Sequence, residues 1–541
     1  MRMMWKPNLR AGMAWRSVIG SGVRSLAALR GWRRGAAVLS ATTLLATLTI
    51  VALVAAGATT SASAHAPAPS PAAPQVPKLT WKQCGGGYQC ATAWVPLDYR
   101  HPNGTRIRLG MTRKLATDPA HRIGWLFINP GGPGGDTDAT VRLFGTSGPA
   151  ELRARFNIIG VDPRGVGRSE PVACESQAVY EQAWSRARSR ATAGSFQRAL
   201  VQGKQFADAC GRASAKLLPY IGTENVARDM DLIRQAVGDK KLNYFGISYG
   251  TYIGTVYANL FPNKVRVMAL DGAYNPITYA RQPYKYDYEQ FVYAEAALSR
   301  LFDWCSKTPT ECAFGDGHPR AAFVKLQNTL DANPVLAPNG KFIGNGATLT
   351  FNTERALDGG QAAWPVIAKE LLAAQQNRSG ELMLGALPAQ AIAANASVEC
   401  ADRLFPKSKA LLRAELAKET APAPLTGPAL AYAVPNYDQA HATACTQWPV
   451  RSQSRYLGPF DAPTAPPILV VGTTGDPDTP YPDAVSLAHI LRSGRLLTFQ
   501  GQGHTGYLNS KHCISNYETT YLVTGKLPAK GTVCKDGGRL P

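Results

Sequence analysis

Two kinds of apolar pattern follow one another along this chain. Residues 78–116 alternate apolar and polar positions between turn residues, which predicts antiparallel strands with one buried face. Residues 125–128 (WLFI) and 156–161 (FNIIGV) are mostly apolar runs, each followed by a glycine-containing turn. Such runs are typical of strands that are buried on both faces of a parallel sheet.

The second pattern continues with a helix and two more strands. Residues 224–238 carry apolar side chains at helical spacing, which predicts an amphipathic helix. Residues 242–247 (LNYFGI) and 265–270 (VRVMAL) predict further buried strands. Strands that alternate with helices in this way indicate an α/β fold.

A long interruption divides the α/β pattern. Residues 276–465 are mostly helical in pattern, and buried strands resume at 467–472 (PILVVG) and 495–499 (RLLTF). We therefore predict a mostly parallel sheet with a large helical cap, residues 276–465, inserted after strand six over the carboxyl ends of the strands. The predicted domains are a signal peptide (1–64), a Pro/Ala linker (65–78), the first part of the core (79–275), the helical cap (276–465) and the carboxyl-terminal part of the core (466–541).

The N-terminus has the three parts of a secretory signal. Residues 1–35 are basic and lack acids, residues 36–57 are uncharged and mostly apolar, and residues 62–64 (ASA) form a signal-peptidase site. The alternative is an uncleaved anchor, because the apolar run is long enough to span a bilayer. No later apolar run has that length, so we expect a secreted protein, extracellular or attached to the cell wall, without membrane association after cleavage.

The net positive charge of the chain bears on which macromolecules or surfaces it could bind. The net charge is +21, and +13 remains once residues 1–64, with eight basic residues and no acid, are removed. A basic protein of this kind adheres weakly to anionic surfaces. It has no dense basic stripe interleaved with aromatic residues, so no nucleic-acid partner is predicted.

All ten cysteines follow the signal segment, and none forms a Cys-x-x-Cys pair. In an exported chain, an even number of cysteines without zinc-site spacing predicts disulfide bonds and no metal site. Ten cysteines can pair in about 945 ways, and the sequence alone does not choose among them. The pairing that we put forward is chain order: Cys84–Cys90, Cys174–Cys210, Cys305–Cys312, Cys400–Cys445 and Cys513–Cys534.

The strongest chemical signal is a Gly-x-Ser-x-Gly motif at residues 246–250 (GISYG), directly between a predicted strand and a predicted helix. That context makes the motif a nucleophile elbow, with Ser248 as the nucleophile. A serine hydroxyl needs a base, and the base needs an orienting acid.

The order of the triad in this fold is serine, acid, histidine. His504 lies in a glycine-flanked loop just past the last apolar strand, and is the predicted base; His489 and His512 lie in less suitable contexts. Asp476 follows the preceding strand and is the predicted acid, with Asp478 as its competitor.

An acyl-transfer site also needs backbone N–H donors for the oxyanion of the tetrahedral intermediate. One predicted donor is Tyr249, the residue after the nucleophile. The other is Gly132 in the loop 129–135 (NPGGPGG), which lacks the Gly-Lys-Ser/Thr ending of a phosphate-binding P-loop.

These segments, together with residues 160–169 (GVDPRGVGRS), resemble the α/β-hydrolases of the proline iminopeptidase group. They are most similar to its exported actinobacterial tripeptidyl aminopeptidases, including the Asn129-Pro130 start of the oxyanion loop, where iminopeptidases usually have histidine. Residues 440–541 resemble the segment of that branch that supplies the acid and the histidine. The resemblance implies an α/β-hydrolase fold and release of short peptides from free N-termini without a cofactor.

Three functions remain open. The first is a secreted serine peptidase that releases tripeptides through an acyl-enzyme on Ser248. The second is an exported carboxylesterase or amidase with the same triad, and the third is a non-catalytic binding module on a hydrolase scaffold. For a peptidase, Glu399 and Asp402 beside Cys400 are candidate partners of the substrate amine, because a cationic amine needs a carboxylate. The alternative is that both acids are surface or structural ion-pair residues.

Overall fold

A computed structural model of the protein describes residues 73–383, 388–433 and 441–535. The predicted signal peptide and its cleavage site lie outside the described residues. No helix within the described ranges is long and apolar enough to cross a membrane.

The described strands form one ten-stranded sheet and one small hairpin. The strands are β1 (Lys82–Gln83), β2 (Gln89–Pro96), β3 (Arg106–Lys114), β4 (Gly124–Asn129), β5 (Phe156–Val161), β6 (Leu242–Ile247), β7 (Val265–Asp271), β8 (Val335–Leu336), β9 (Phe342–Gly344), β10 (Ile468–Gly475), β11 (Gly494–Gln502) and β12 (Val533–Cys534).

The order across the large sheet is β1-β2-β3-β5-β4-β6-β7-β10-β11-β12. Strands β1 to β3 are antiparallel to their neighbours, and every pair from β5 to β12 is parallel. The predicted antiparallel start and parallel remainder are therefore confirmed. All six residues of β4, of β5 and of β6 are buried, as continuous apolar runs predict.

The helices fall into three groups along the chain. Before the cap lie α1 (Asp138–Ser147), α2 (Ala150–Arg155), α3 (Gln177–Arg186), α4 (Ser195–Ala213), α5 (Thr223–Ala236) and α6 (Tyr249–Leu260). The cap contains α7 (Pro276–Arg281), α8 (Pro283–Lys307), α9 (Pro319–Ala332), α10 (Gly346–Ala356), α11 (Gly360–Asn377), α12 (Ala389–Asp402), α13 (Lys409–Thr420), α14 (Gly427–Tyr432) and α15 (Ala442–Cys445). After it come α16 (Tyr481–Ile490), α17 (Gly506–Asn509) and α18 (Cys513–Thr524).

Successive side chains of the parallel strands enter different hydrophobic clusters. Leu126 and Ile128 of β4 pack in a cluster with α1 and α18, whereas Phe127 lies in the cluster that includes α5 and α6. This is the alternation expected of a strand with both faces covered. A third cluster lies within the cap and contains Phe302 and Phe323 among its members.

The cap differs from the sequence-based picture in two details. It follows β7, which is the seventh strand in chain order because the two-residue β1 adds to the six longer strands. It also contains the hairpin of β8 and β9, which a mostly helical pattern did not predict.

Helices from the first part of the chain also pack on the cap. Asn345 of the cap donates hydrogen bonds to the carbonyl oxygens of Trp184 and Ala187, each at 2.9 Å. Gln447 reaches the carbonyl of Leu200 on α4 at the same distance. Residues on either side of the predicted boundary at 275 are therefore in direct contact.

The five disulfide bonds predicted in chain order are all confirmed, and no described cysteine is free. Such bonds persist in oxidising compartments. Cys400–Cys445 joins α12 to α15, and Cys513–Cys534 joins the start of α18 to the edge strand β12.

Candidate active site

Ser248 lies at the sharp turn between β6 and α6. Its φ and ψ of 55° and −129° are strained for a residue with a side chain. The two flanking glycines allow the turn: a Cβ on Gly246 would lie 2.5 Å from the carbonyl oxygen of Gly250, and one on Gly250 would lie 2.8 Å from that of Asn129. This is the geometry that presents a serine hydroxyl at the top of a sheet.

Asp476 and His504, predicted as acid and base, are brought together. The two carboxylate oxygens of Asp476 lie 3.0 and 3.1 Å from Nδ1 of His504. Asp476 is fully buried and also accepts hydrogen bonds from the backbone N–H of Asp478, Thr479 and Thr505. These contacts fix the carboxylate, and with Nδ1 engaged, Nε2 of the imidazole is available for proton transfer.

Asp478, the competing acid, has a different partner. Its Oδ2 lies 2.9 Å from a guanidinium nitrogen of Arg355 in the cap. Burial raises the pKa of Asp478, but Arg355 and its other neighbours outweigh burial and hold the pKa below the usual value. Asp478 therefore lies near the Asp476–His504 pair but forms its ion pair with Arg355 of the cap.

Thr479 was missed by the sequence analysis. Its hydroxyl donates to Asp476 at 2.8 Å and lies 3.3 Å from Nδ1 of His504. Its position three residues after the acid was a usable signal, because threonine hydroxyls in turns bond nearby acceptors.

The loop that carries His504 is held by a second carboxylate. Thr505 has a φ of 71°, which is a strained value for a threonine. The next two N–H groups, of Gly506 and Tyr507, donate to the two oxygens of Asp271 at 2.9 and 2.7 Å. Asp271 ends β7, and burial raises its pKa to about 6. Its place at the carboxyl end of a buried strand could have marked it in the sequence.

The turn after β7 contacts both Ser248 and His504. The N–H of Ser248 donates to the carbonyl of Asp271 at 2.9 Å. A Cβ on the next residue, Gly272, would lie 3.2 Å from Cε1 of His504. One turn of backbone therefore links the nucleophile elbow to the histidine ring.

The predicted oxyanion loop lies directly on the elbow. A Cβ on Gly131 would lie 2.8 Å from Cβ of Ser248 and 2.9 Å from the backbone nitrogen of Tyr249. The N–H of Gly131 donates to the Asn129 side chain at 2.9 Å, and Gly132 accepts a hydrogen bond from the hydroxyl of Tyr274. The two predicted oxyanion donors, Gly132 and Tyr249, thus belong to adjacent pieces of backbone.

The cap contacts the loops of both Asp476 and His504. Arg300 and Gln290 of α8 donate to the carbonyl oxygens of Gly475 and Asp478. The N–H of His504 donates to the carbonyl of Asp358, in a turn of the cap, at 2.9 Å. The helical segment therefore forms part of the frame of the site.

Nearby carboxylates raise the pKa of the His504 ring. Burial of the His504 ring lowers its pKa, but the carboxylates of Asp476, Asp478 and Asp358 outweigh burial and raise the pKa to about 10. Asp358 itself has a pKa raised to about 8, first by burial and then by the charge of Asp478. The site favours an imidazolium at this position.

Glu399 and Asp402, proposed as partners of a substrate amine, are both engaged inside the protein. Glu399 accepts from the hydroxyl of Tyr279 at 3.1 Å and pairs with Arg403 at 2.6 Å. Asp402 accepts from Thr223 and from the hydroxyl of Tyr249. These contacts within the protein favour structural roles for both acids over binding of a substrate amine.

Sequence comparisons agree with this architecture. A family model described as "TAP-like protein" matches residues 432–534, the part that contains Asp476 and His504. The tripeptidyl aminopeptidase of Streptomyces lividans is 31% identical over 489 residues, covering 84% of this chain and 86% of that protein. The chain belongs to the tripeptidyl aminopeptidase-like family of α/β-hydrolases.

Other members of the TAP-like family carry different names. Serine protease Hip1 of Mycobacterium tuberculosis is 32% identical over 476 residues, 83% of this chain and 88% of that protein. Carboxylesterase B of the same species is 32% identical over 540 residues, 93% of this chain and 99% of that protein. Among solved structures, a proline iminopeptidase of Mycobacterium smegmatis aligns with a TM-score of 0.34 and 13% identity over 80% of this chain and 97% of that chain. The names of these sequence relatives thus include an aminopeptidase, a serine protease and a carboxylesterase.

Proposed function

We propose that this protein is a secreted serine peptidase that releases short peptides, in particular tripeptides, from free N-termini. The observation that carries the proposal is the strained Ser248 elbow together with the Asp476–His504 pair. The names of the relatives in Streptomyces and Mycobacterium support a peptidase, and the five disulfides support export.

In the first half-reaction, Nε2 of His504 takes the proton of the Ser248 hydroxyl while Oγ attacks the scissile carbonyl. The protonated ring that results is stabilised by the buried carboxylate of Asp476, and by Asp478 beside it. His504 then protonates the leaving amine, and the peptide remains as an ester on Ser248. Water, activated by the same histidine, hydrolyses this acyl-enzyme and restores the serine.

The oxyanion of each tetrahedral intermediate is bound by backbone N–H groups. The N–H of Gly131 is used by the Asn129 side chain, so Gly132 is the loop residue we propose as donor, together with Tyr249. Because these donors are built into the backbone, they need little reorganisation when charge develops.

A chromogenic panel tests the proposal. We expect turnover of tripeptide p-nitroanilides with a free amine, little turnover of their N-acetylated forms, and no turnover by Ser248→Ala. Equal rates on free and acetylated peptides would contradict the requirement for an N-terminus. Absence of fluorophosphonate labelling at Ser248 would remove the enzyme hypothesis and favour the binding module.

A carboxylesterase is the second candidate, because Carboxylesterase B aligns over 93% of this chain. The same panel separates the two activities. A preference for short acyl esters over every tripeptide amide, by kcat/KM, would assign the esterase activity to the same Ser248 site.

A further inference from the structure

Helix α12 of the cap contacts the oxyanion loop near its first turns. The side-chain amide of Asn395 donates to the carbonyl oxygen of Pro133 at 2.7 Å. A Cβ on Gly134 would lie 2.8 Å from the backbone nitrogen of Asn395 and 3.2 Å from the carbonyl oxygen of Ala391. The helix therefore packs directly on the backbone next to Gly132, without an intervening layer.

The other end of α12 contacts the second oxyanion donor. Asp402 is fully buried, and it accepts hydrogen bonds from the N–H of Thr223 at 2.8 Å and from the hydroxyl of Tyr249 at 3.2 Å. The hydroxyl of Thr223 also bonds to Asp402 and to Tyr249. Asn395 and Asp402 are seven residues apart, about two helical turns, so both lie on one side of α12.

Two kinds of contact anchor this helix. Cys400 is bonded to Cys445 of α15, and Arg403, just past the helix end, pairs with Glu399 and with Asp287 of α8. A helix held in this way can keep groups at its two ends at a constant separation.

We propose that Asn395 and Asp402 are positioning residues through which α12 fixes both halves of the oxyanion hole. The inference rests on the proposed function, because it assigns the donors to Gly132 and Tyr249. Asn395 fixes the loop of Gly132 through Pro133. Asp402 fixes the side chain of Tyr249, and with it the first residue of α6, whose N–H is the second donor.

The physical reason is the narrow range of useful donor positions. Donors stabilise a developing oxyanion when they lie about 2.7–3.1 Å from it, and a shift of either backbone segment lengthens one of the two bonds. A substrate carbonyl in the ground state carries less charge and depends less on them. Loss of positioning should therefore lower kcat more than it raises KM.

Asp402→Asn tests the proposal against a matched control, Asp231→Asn. Asp231 is also buried and also accepts from a tyrosine hydroxyl of α6, that of Tyr257 at 2.8 Å, near the opposite end of the helix from Ser248. Both variants remove one buried carboxylate charge, and only Asp402 contacts the residue after the nucleophile.

We expect Asp402→Asn to lower kcat by about 10- to 100-fold, somewhat less than deletion of a whole donor, with KM changed less than about threefold. The affinity for a peptide boronate, which forms a tetrahedral adduct, should fall in parallel with kcat/KM. Asp231→Asn should keep kcat within about threefold of wild type, even where its melting temperature falls. Equal kcat losses in the two variants, or a change in KM alone, would overturn the proposal.

Tyr249→Phe gives an independent test if Asp402→Asn does not fold. It removes the hydroxyl that Asp402 holds and keeps the backbone N–H. We expect a several-fold loss of kcat in Tyr249→Phe. Where Asp402→Asn can be purified, the double variant should lose no more kcat than Asp402→Asn alone. An unchanged kcat in Tyr249→Phe would contradict the role of Asp402. Fluorophosphonate labelling of the wild-type protein is measured first, because its absence would refute the proposed function and not the packing of α12.

Discussion

The two sides of the candidate site differ in composition: charged side chains lie around His504, and glycine backbone forms the proposed oxyanion hole. On the side of His504, charged groups dominate: Asp476 contacts the ring, the charges of Asp478 and Asp358 act on it, and Arg355 of the cap pairs with Asp478 and Asp358. On the side of the proposed oxyanion hole, glycine backbone lies so near the elbow that a Cβ on Gly131 would come within 2.8 Å of Cβ of Ser248.

In the proposed mechanism, the difference follows from the charge that each side holds during the reaction. A transient cation on His504 is stabilised by fixed carboxylates, whereas a transient anion is stabilised by N–H dipoles that carry no net charge. The histidine side should therefore respond to single charge changes and to pH. The oxyanion side should respond to changes of shape.

The largest effect should come from Ser248→Ala, which leaves both sides in place without the nucleophile. We expect kcat to fall by about 10⁶-fold, with no further loss when His504→Ala is added, because the residues of a triad act as a unit. Purified single and double variants, compared by active-site-titrated rates, provide the measurement. Losses that multiply in the double variant would show that Ser248 and His504 act in separate steps.

Asp476→Asn should be next, with a loss of about 10⁴-fold in kcat, because an amide can stabilise the wrong tautomer of the histidine. The assay is turnover of the best tripeptide anilide. Asp478→Asn is the control, since Asp478 acts on the ring only through its charge and makes its ion pair with Arg355, so it does not hold the tautomer of the ring and should cost far less activity. If the two variants lost the same activity, the distinction between the acids would be wrong.

On the oxyanion side, Gly131→Ala should lower kcat by about 10²-fold, because the new Cβ would displace the loop from the elbow. Gly85→Ala is the matched control. Gly85 has a φ of 92° and Gly131 a φ of 91°, but a Cβ at Gly85 would meet nothing within 4 Å. Both variants strain the backbone, and only Gly131→Ala should lose activity. A comparable kcat loss in Gly85→Ala would attribute the effect to global destabilisation.

The smallest effect concerns pH. His504, the proposed base, must be neutral to act, and its neighbours raise its pKa to about 10, so kcat/KM of the wild type should rise with pH into the alkaline range. Asp478→Asn removes one carboxylate that favours the imidazolium, and the pKa of His504 should fall. The acidic limb of the profile should move to lower pH by about one unit, while the plateau changes little. A limb that stays in place, with chemistry rate-limiting, would exclude Asp478 from the electrostatics of the ring.

The sequence was informative where a local pattern coincides with a function. The elbow around Ser248 has a fixed spacing between strand and helix, and the buried strands are continuous apolar runs. Asp476 and His504 could be proposed as partners because each follows such a strand, and the structure brings the two side chains into contact. Chain order also predicted the five disulfides, although loop closure favours near neighbours only weakly.

The remaining features depend on contacts between distant segments. Nothing local to Arg355 or Asp358 indicates that the cap would bring them to the loops of Asp478 and His504. Glu399 and Asp402 looked like a substrate site because acids beside a cysteine suggest a rigid recognition segment. Their partners, Tyr279 and Thr223, come from far away in the chain, and only the fold reveals them.

The sheet order has a consequence for how such proteins diversify. Strands β7 and β10, which flank the cap in the chain, are neighbours in the sheet, where Ala269 pairs with Leu469. The cap could therefore be replaced by a short connection between β7 and β10 without changing the order of the strands in the sheet. In its contacts it is not separable, because it also bonds to the loops of Asp476 and His504 and to the loop 129–135. An evolutionary exchange of the cap would therefore preserve the scaffold, yet would require the new cap to rebuild the supports of the catalytic loops before the enzyme could work.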